Sequence, residues 1–139
     1  MEKQIFIKHS SNDTDSVIND IVRYFDVIMV SALEAVCEFH LYKDQYNLLS
    51  KLEEFRNYKI AKTEPKNGIE LSGEYLDITI GLSLDELKTL LQIVAKNELN
   101  VTITFGTIKM VLNDNDGDFI IINTRNPSYN SIKSLSLQP

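Results

Sequence analysis

Three short apolar segments near the C-terminus, separated by two turn signals, constrain the fold of this chain more than any other feature. Residues 101–105 alternate apolar side chains with threonine, which is the pattern of a strand with one face against a core. Gly106 predicts a turn into a second strand at 108–112, and Asp116-Gly117 predicts a hairpin turn before a third strand at 119–122. The sequence therefore predicts an antiparallel meander.

The same alternation recurs in residues 35–42, which predicts another strand with one buried face. The preceding segment, 17–30, is ambiguous, because its apolar spacing fits a helix face whereas its β-branched and aromatic content suits a strand. We predict a strand at 21–30. Residues 31–34 would then form a hairpin connection.

Two amphipathic helices and two further strands complete the predicted elements. In residues 43–55, leucine and phenylalanine recur on one face of a helix. Ser83 and Glu86 form a capping box that predicts the start of a second helix. Shorter apolar runs predict strands at 4–8 and 69–80, the second broken by a bulge or turn at Ser72-Gly73.

These elements predict an α+β fold in which two amphipathic helices pack on a mainly antiparallel sheet of about six to eight strands. A chain of 139 residues fits a single domain, here 1–139. The composition changes to proline, serine and asparagine at 126–139. That segment predicts either an edge strand or a flexible tail, and we expect it to be partly ordered.

Charge and cysteine content restrict the classes of function. A net charge of −6 disfavours nucleic-acid binding, which needs clustered bases. The acidity is concentrated early, since Met1 to Tyr42 contains seven acidic and three basic residues. Cys37, as the single cysteine, has no intramolecular disulfide partner. With no apolar run near the roughly 20 residues of a membrane span and no secretory signal pattern, we expect a cytoplasmic protein.

No residues in the sequence have the spacing of a catalytic, cofactor or metal site, so we predict none and expect no enzyme activity. Cys37 and His40 fall on opposite faces of one strand, which predicts a buried structural thiol. His9 has no identifiable acidic partner and is predicted to be a solvated loop histidine. Residues 113–118 resemble part of a calcium loop with Gly117 at position six. Positions one and twelve would then be Leu112 and Asn123, which are unsuitable ligands, so the segment predicts an acidic hairpin tip.

Residues 24–55, YFDVIMVSALEAVCEFHLYKDQYNLLSKLEEF, resemble small immunity proteins of bacterial polymorphic-toxin and contact-dependent inhibition systems. The resemblance rests on two strands, with Glu38 in the second, followed by Leu41-Tyr42, an acid and a leucine-rich helix. It covers about a quarter of the chain. The resemblance implies a stoichiometric inhibitor that binds a cognate toxin domain.

An acidic surface is compatible with that role, because it attracts a basic, nuclease-like partner at long range. Two other functions stay open. One is a small-molecule-binding domain or enzyme with a site built from scattered residues, which a concave pocket with a shifted carboxylate would favour. The other is a phage or mobile-element structural or adaptor protein that assembles through exposed strand edges. The predicted partner-binding residues are Asp13, Asp15, Asp20, Asp26, Glu34, Asp114, Asp116 and Asp118.

Overall fold

The computed structural model describes residues 1–28, 34–55, 58–61, 73–81 and 84–138. The strands in these ranges are β1 (Glu2–Phe6), β2 (Glu34–Tyr42), β3 (Tyr58–Ala61), β4 (Gly73–Gly81), β5 (Asn100–Phe105), β6 (Ile108–Asp114) and β7 (Gly117–Asn123). The helices are α1 (Thr14–Ile28), a 3-10 helix (Lys43–Leu48), α2 (Leu49–Leu52), α3 (Leu84–Asn97) and α4 (Tyr129–Ser136).

The strands form one sheet in the order β1-β7-β6-β5-β2-β4-β3. Every neighbouring pair is antiparallel, so the predicted α+β class with an antiparallel sheet is confirmed. The predicted meander is β5, β6 and β7, and Gly106 and Gly117 occupy its two turns with φ of 58° and 103°. A left-handed backbone favours glycine at both places, because it has no Cβ to clash.

The core lies on one face of the sheet. In β2, the side chains of Ala35, Cys37, Phe39 and Leu41 are buried, while Glu38 between them is exposed. This alternation continues through β5 and β6 and matches the two-residue period of the sequence. The helices α1 to α4 supply further residues of the same core cluster, such as Phe25, Leu52, Leu90 and Ile132.

The predicted strand at 21–30 is wrong, because α1 covers Thr14–Ile28. The carboxylate of Asp13 accepts a hydrogen bond from the backbone N–H of Ser16 at 3.3 Å, which satisfies a free donor at the start of the helix. The helical spacing prevails over the β-branched content because it puts five large side chains on one buried face. These are Ile18, Ile21, Tyr24, Phe25 and Ile28.

The hairpin connection predicted at 31–34 is also wrong, because β2 follows a helix. Residues 31–33 lie outside the described residues, and Glu34 is the first residue of β2. The helix predicted at 43–55 is present over residues 43–52, where the chain forms the 3-10 helix and then the short α2.

The second predicted helix is confirmed as α3, with Leu87, Leu90, Leu91 and Val94 buried. The capping residue Ser83 lies outside the described part of the chain. Strand β3 was not predicted. The predicted strand at 69–80 corresponds to β4 from Gly73 onward, and residues 69–72 again fall outside the described ranges.

The ordered part of the C-terminal segment is helix α4, where the sequence predicted an edge strand or a flexible tail. Ile132 is fully buried, and Tyr129 and Leu135 pack against the core beside it. These three residues are spaced three apart, which places them on one side of a helix. None of the helices in the described ranges combines the length and apolar character needed to cross a membrane.

Candidate functional site

His9 lies between two carboxylates at one end of the sheet. Its Nδ1 is 3.0 Å from Oδ2 of Asp20 in α1, and its Nε2 is 2.6 Å from Oδ2 of Asp118 in β7. The side chains are mostly buried, with exposed fractions of 19% for His9, 22% for Asp20 and 10% for Asp118. These three residues, here called the His9 cluster, connect the β1–α1 loop to α1 and to the β6–β7 hairpin.

The backbone around β7 holds the His9 cluster in place. The N–H of Ile7 donates to the carbonyl oxygen of Asp118 at 2.9 Å, which continues the pairing of β1 with β7 and brings His9 to the start of β7. The second carboxylate oxygen of Asp118, Oδ1, accepts the backbone N–H of Asn113 at 2.8 Å. Both oxygens of Asp118 are therefore engaged, and the orientation of the carboxylate is fixed.

Asn113 links this arrangement to the end of α3. Its backbone has a φ of 58°, at a register shift in the β6–β7 pairing. Asparagine tolerates the left-handed region better than most residues. Its side-chain Nδ2 donates to the carbonyl oxygens of Leu99 at 2.9 Å and Val94 at 3.3 Å. The hairpin that carries Asp118 is thus anchored to the α3–β5 connection.

The environment of His9 favours the charged imidazolium. Burial alone would lower its pKa, but the hydrogen bonds to Asp118 and Asp20 and their negative charges outweigh burial and raise the pKa above the ordinary value of 6.5. The imidazolium donates one N–H to each carboxylate. Because both nitrogens donate, neither can accept a proton from a nucleophile or a substrate in this arrangement.

The prediction that His9 is a solvated loop histidine is therefore wrong. Its acidic partners are 11 and 109 residues away in the sequence, so no local spacing signalled them. Asp20 and Asp118 were predicted as surface acids, and the sequence contains no pattern that pairs either of them with His9.

Two clefts of similar size flank the His9 cluster. One, here called the acidic cleft, has a volume of about 420 Å³ and is lined by His9, Asn12, Thr14, Val17, Ala95, Glu98, Asn113 and Asp118. The other, here called the basic cleft, has a volume of about 400 Å³ and is lined by Lys8, His9, Ser10, Asp20, Arg23, Tyr24 and residues 135–138 at the end of α4. Both are large enough for a small ligand or a protruding side chain.

Three segments that are distant in sequence line the acidic cleft, and each carries acids in the lining or close to it in sequence. These segments are the start of α1, the end of α3 and the β6–β7 turn. Lys96 is the base in these segments, so carboxylates predominate. We call this group the acidic end. It consists of Asp13, Asp15, Glu98, Asp114 and Asp116.

The predicted partner-binding residues therefore fall into separate groups. Asp13, Asp15, Asp114 and Asp116 belong to the segments that border the acidic cleft, and Asp26 is exposed farther along α1. Asp20 and Asp118, which were predicted at the surface, are largely buried and bound to His9, and their role in partner binding stays a prediction. The side chain of Glu34 lies outside the described part of the structure.

Cys37 is fully buried in β2, and burial raises its pKa to about 12, which keeps the thiol protonated. His40 lies three residues along the same strand and alternates to the opposite face. The two residues do not form a nucleophile and base. In the described ranges, no three His, Cys, Asp or Glu side chains are arranged to hold a metal ion.

A scan of protein-family models found no match to this chain, and searches of curated proteins and of solved structures found no significant similarity. Functional inference therefore depends on the geometry of the molecule itself.

Proposed function

We propose that this chain is a stoichiometric inhibitor of the immunity type, which binds a basic bacterial toxin domain through its acidic end. The observation that carries the proposal is the lining of the acidic cleft, which joins the start of α1 to the β6–β7 hairpin. Asp13 and Asp15 lie on the first of these segments and Asp114 and Asp116 on the second, about a hundred residues apart in sequence. Ile7 and His9 bind Asp118 beside the hairpin and so connect the two groups.

A surface of this kind acts mainly on association. Several carboxylates on one end of a protein create a local negative potential that steers a positively charged partner and raises the association rate, especially at low ionic strength. The overall charge of −6 has the same sign. Short-range contacts would then come from the acidic cleft, where Asn12, Thr14 and Asn113 offer neutral polar groups between the charges.

The sequence resemblance gives limited support. Because Tyr24 to Ile28 belongs to a helix, the first of the two strands in the resemblance is absent there. The rest of the pattern is present as β2, with Glu38 exposed, and the leucine-containing helical segment after it.

The first test is complex formation. The proposal predicts that a toxin-like domain is encoded immediately upstream of this gene. When that domain is co-expressed with the chain, the expected result is a one-to-one complex at low salt and protection of cells from the domain. Failure of the two proteins to co-purify at low salt would contradict the proposal.

The second test assigns the surface. Asp114→Asn with Asp116→Asn removes two charges from the acidic end, and we expect the association rate constant to fall roughly tenfold at low salt. The matched control is Glu2→Gln with Glu54→Gln, since both residues are exposed and Glu2 pairs with Asn123 at the far end of β7. Equal effects of the two variants would show that net charge, and not the acidic end, controls binding.

A further inference from the structure

The basic cleft has a chemical character opposite to that of the molecule as a whole. Lys8 and Arg23 are both exposed at this cleft, and in the described ranges neither forms an ion pair with a carboxylate. Asp20, the single acid among its lining residues, binds His9. The two free cations therefore determine the charge of the cleft.

A mostly buried tyrosine lines the same cleft. Tyr24 lines the basic cleft and is only 5% exposed, yet none of the described residues forms a hydrogen bond with its hydroxyl. Burial raises the pKa of Tyr24, so the phenol stays protonated and able to donate. A buried hydroxyl without a partner costs free energy, and in folded proteins such groups are usually satisfied by water or by a ligand.

The end of α4 closes one side of the cleft. Residues 135–138 line it, and the side-chain oxygen of Gln138 accepts a hydrogen bond from Nη2 of Arg23. An amide oxygen is a neutral acceptor, whereas a guanidinium binds a charged oxyanion more strongly and often through two parallel hydrogen bonds. An anion that enters the cleft would therefore displace Gln138 from the guanidinium of Arg23.

We propose that the basic cleft binds a small organic molecule through its phosphate or carboxylate group, with Arg23 and Lys8 pairing with the anionic oxygens and the Tyr24 hydroxyl donating a third hydrogen bond. The volume of about 400 Å³ fits a small metabolite. The basic cleft is distinct from the acidic end, and anion binding there needs no protein partner. An absence of anion binding would therefore leave the inhibitor proposal untouched, and the reverse also holds.

The test uses inorganic phosphate and succinate as probes, with potassium chloride at matched ionic strength as the reference. Amide chemical shifts of the ¹⁵N-labelled chain are followed during titration at constant pH. We expect saturable shifts at Lys8, Ser10, Tyr24 and Gln138 with at least one probe. Shifts that match those of potassium chloride, or that spread over surface lysines without saturation, would overturn the proposal.

Two variants test the assigned roles. Arg23→Gln should weaken binding of the probe roughly tenfold, because a charge-assisted hydrogen bond is lost. Tyr24→Phe should weaken it by a smaller factor while leaving the melting temperature unchanged or raised, since the hydroxyl has no protein partner to lose. The matched controls Arg125→Gln and Lys109→Gln remove exposed charges elsewhere and should leave binding unchanged. Wild-type affinity in Arg23→Gln would overturn the proposal.

Discussion

The acidic and basic clefts differ in charge although they share His9 and have similar volumes. On one side, His9 faces Asp118, Glu98 and the acidic end. On the other side, it faces Asp20, Lys8 and Arg23. The imidazolium carries one positive charge, which the carboxylates of Asp20 and Asp118 share, so the other charged side chains decide the character of each cleft. A single residue can therefore separate two surfaces of opposite preference in one small fold.

The largest expected effect is the loss of stability when His9, which separates the two clefts, is removed. His9→Ala leaves the carboxylates of Asp20 and Asp118 without their shared cation, and we expect the free energy of unfolding at pH 6 to fall by about 2 to 3 kcal/mol. Chemical denaturation with an unchanged m-value would measure the loss.

A double-mutant cycle distinguishes this mechanism from simple cavity formation. Asp118→Asn removes one of the two carboxylates, so the cost of His9→Ala should be clearly smaller in that background. Additive costs would indicate that the imidazole ring acts only by filling space.

Asn113 supports the acidic side alone, so changing it should affect one cleft and not the other. Asn113→Ala removes the hydrogen bonds to the carbonyl oxygens of Leu99 and Val94. It also puts alanine, which tolerates the left-handed region less well than asparagine, at a φ of 58°. We expect a loss of about 2 kcal/mol. Asn113→Gly should recover the backbone part of that loss, because glycine adopts this conformation without strain. Identical stabilities for the two variants would show that backbone strain contributes nothing.

The pH dependence of stability tests the charge of His9 directly. Because the pKa of His9 is raised in the folded protein, its contribution is complete below the unfolded value near 6.5 and is lost as the pH rises through the folded pKa. Stability should therefore decrease from pH 6 toward pH 8. The groups facing the ring are Asp20 and Asp118, with Lys8, Arg23 and Glu98 around them.

His9→Gln is the matched control for this measurement, since it retains hydrogen-bonding capacity without titrating in this range. The decrease between pH 6 and pH 8 should be smaller in His9→Gln than in the wild type, while His40 is present in both. The same slope in both proteins would contradict the assignment to His9.

Much of the fold followed from local sequence pattern. The alternation in residues 101–105 and the glycines at 106 and 117 were sufficient for the meander, because strand faces and left-handed turns depend on neighbouring residues. Helix α3 followed from its leucine spacing for the same reason. In residues 21–28 the local pattern supported two answers, and only burial against the rest of the core selected the helix.

By itself, the sequence determined the class of fold, the buried state of Cys37 and the acidity of the surface, since each depends on composition or on short-range periodicity. The tertiary structure alone decided that Asp20 and Asp118 bind His9, that the start of α1 lines one cleft with the β6–β7 hairpin, and that Lys8, Arg23 and Tyr24 share another cleft. The physical reason is that hydrogen bonds and Coulomb forces act between side chains close in space, and the pairing of β1 with β7 brings together residues from the two ends of the chain.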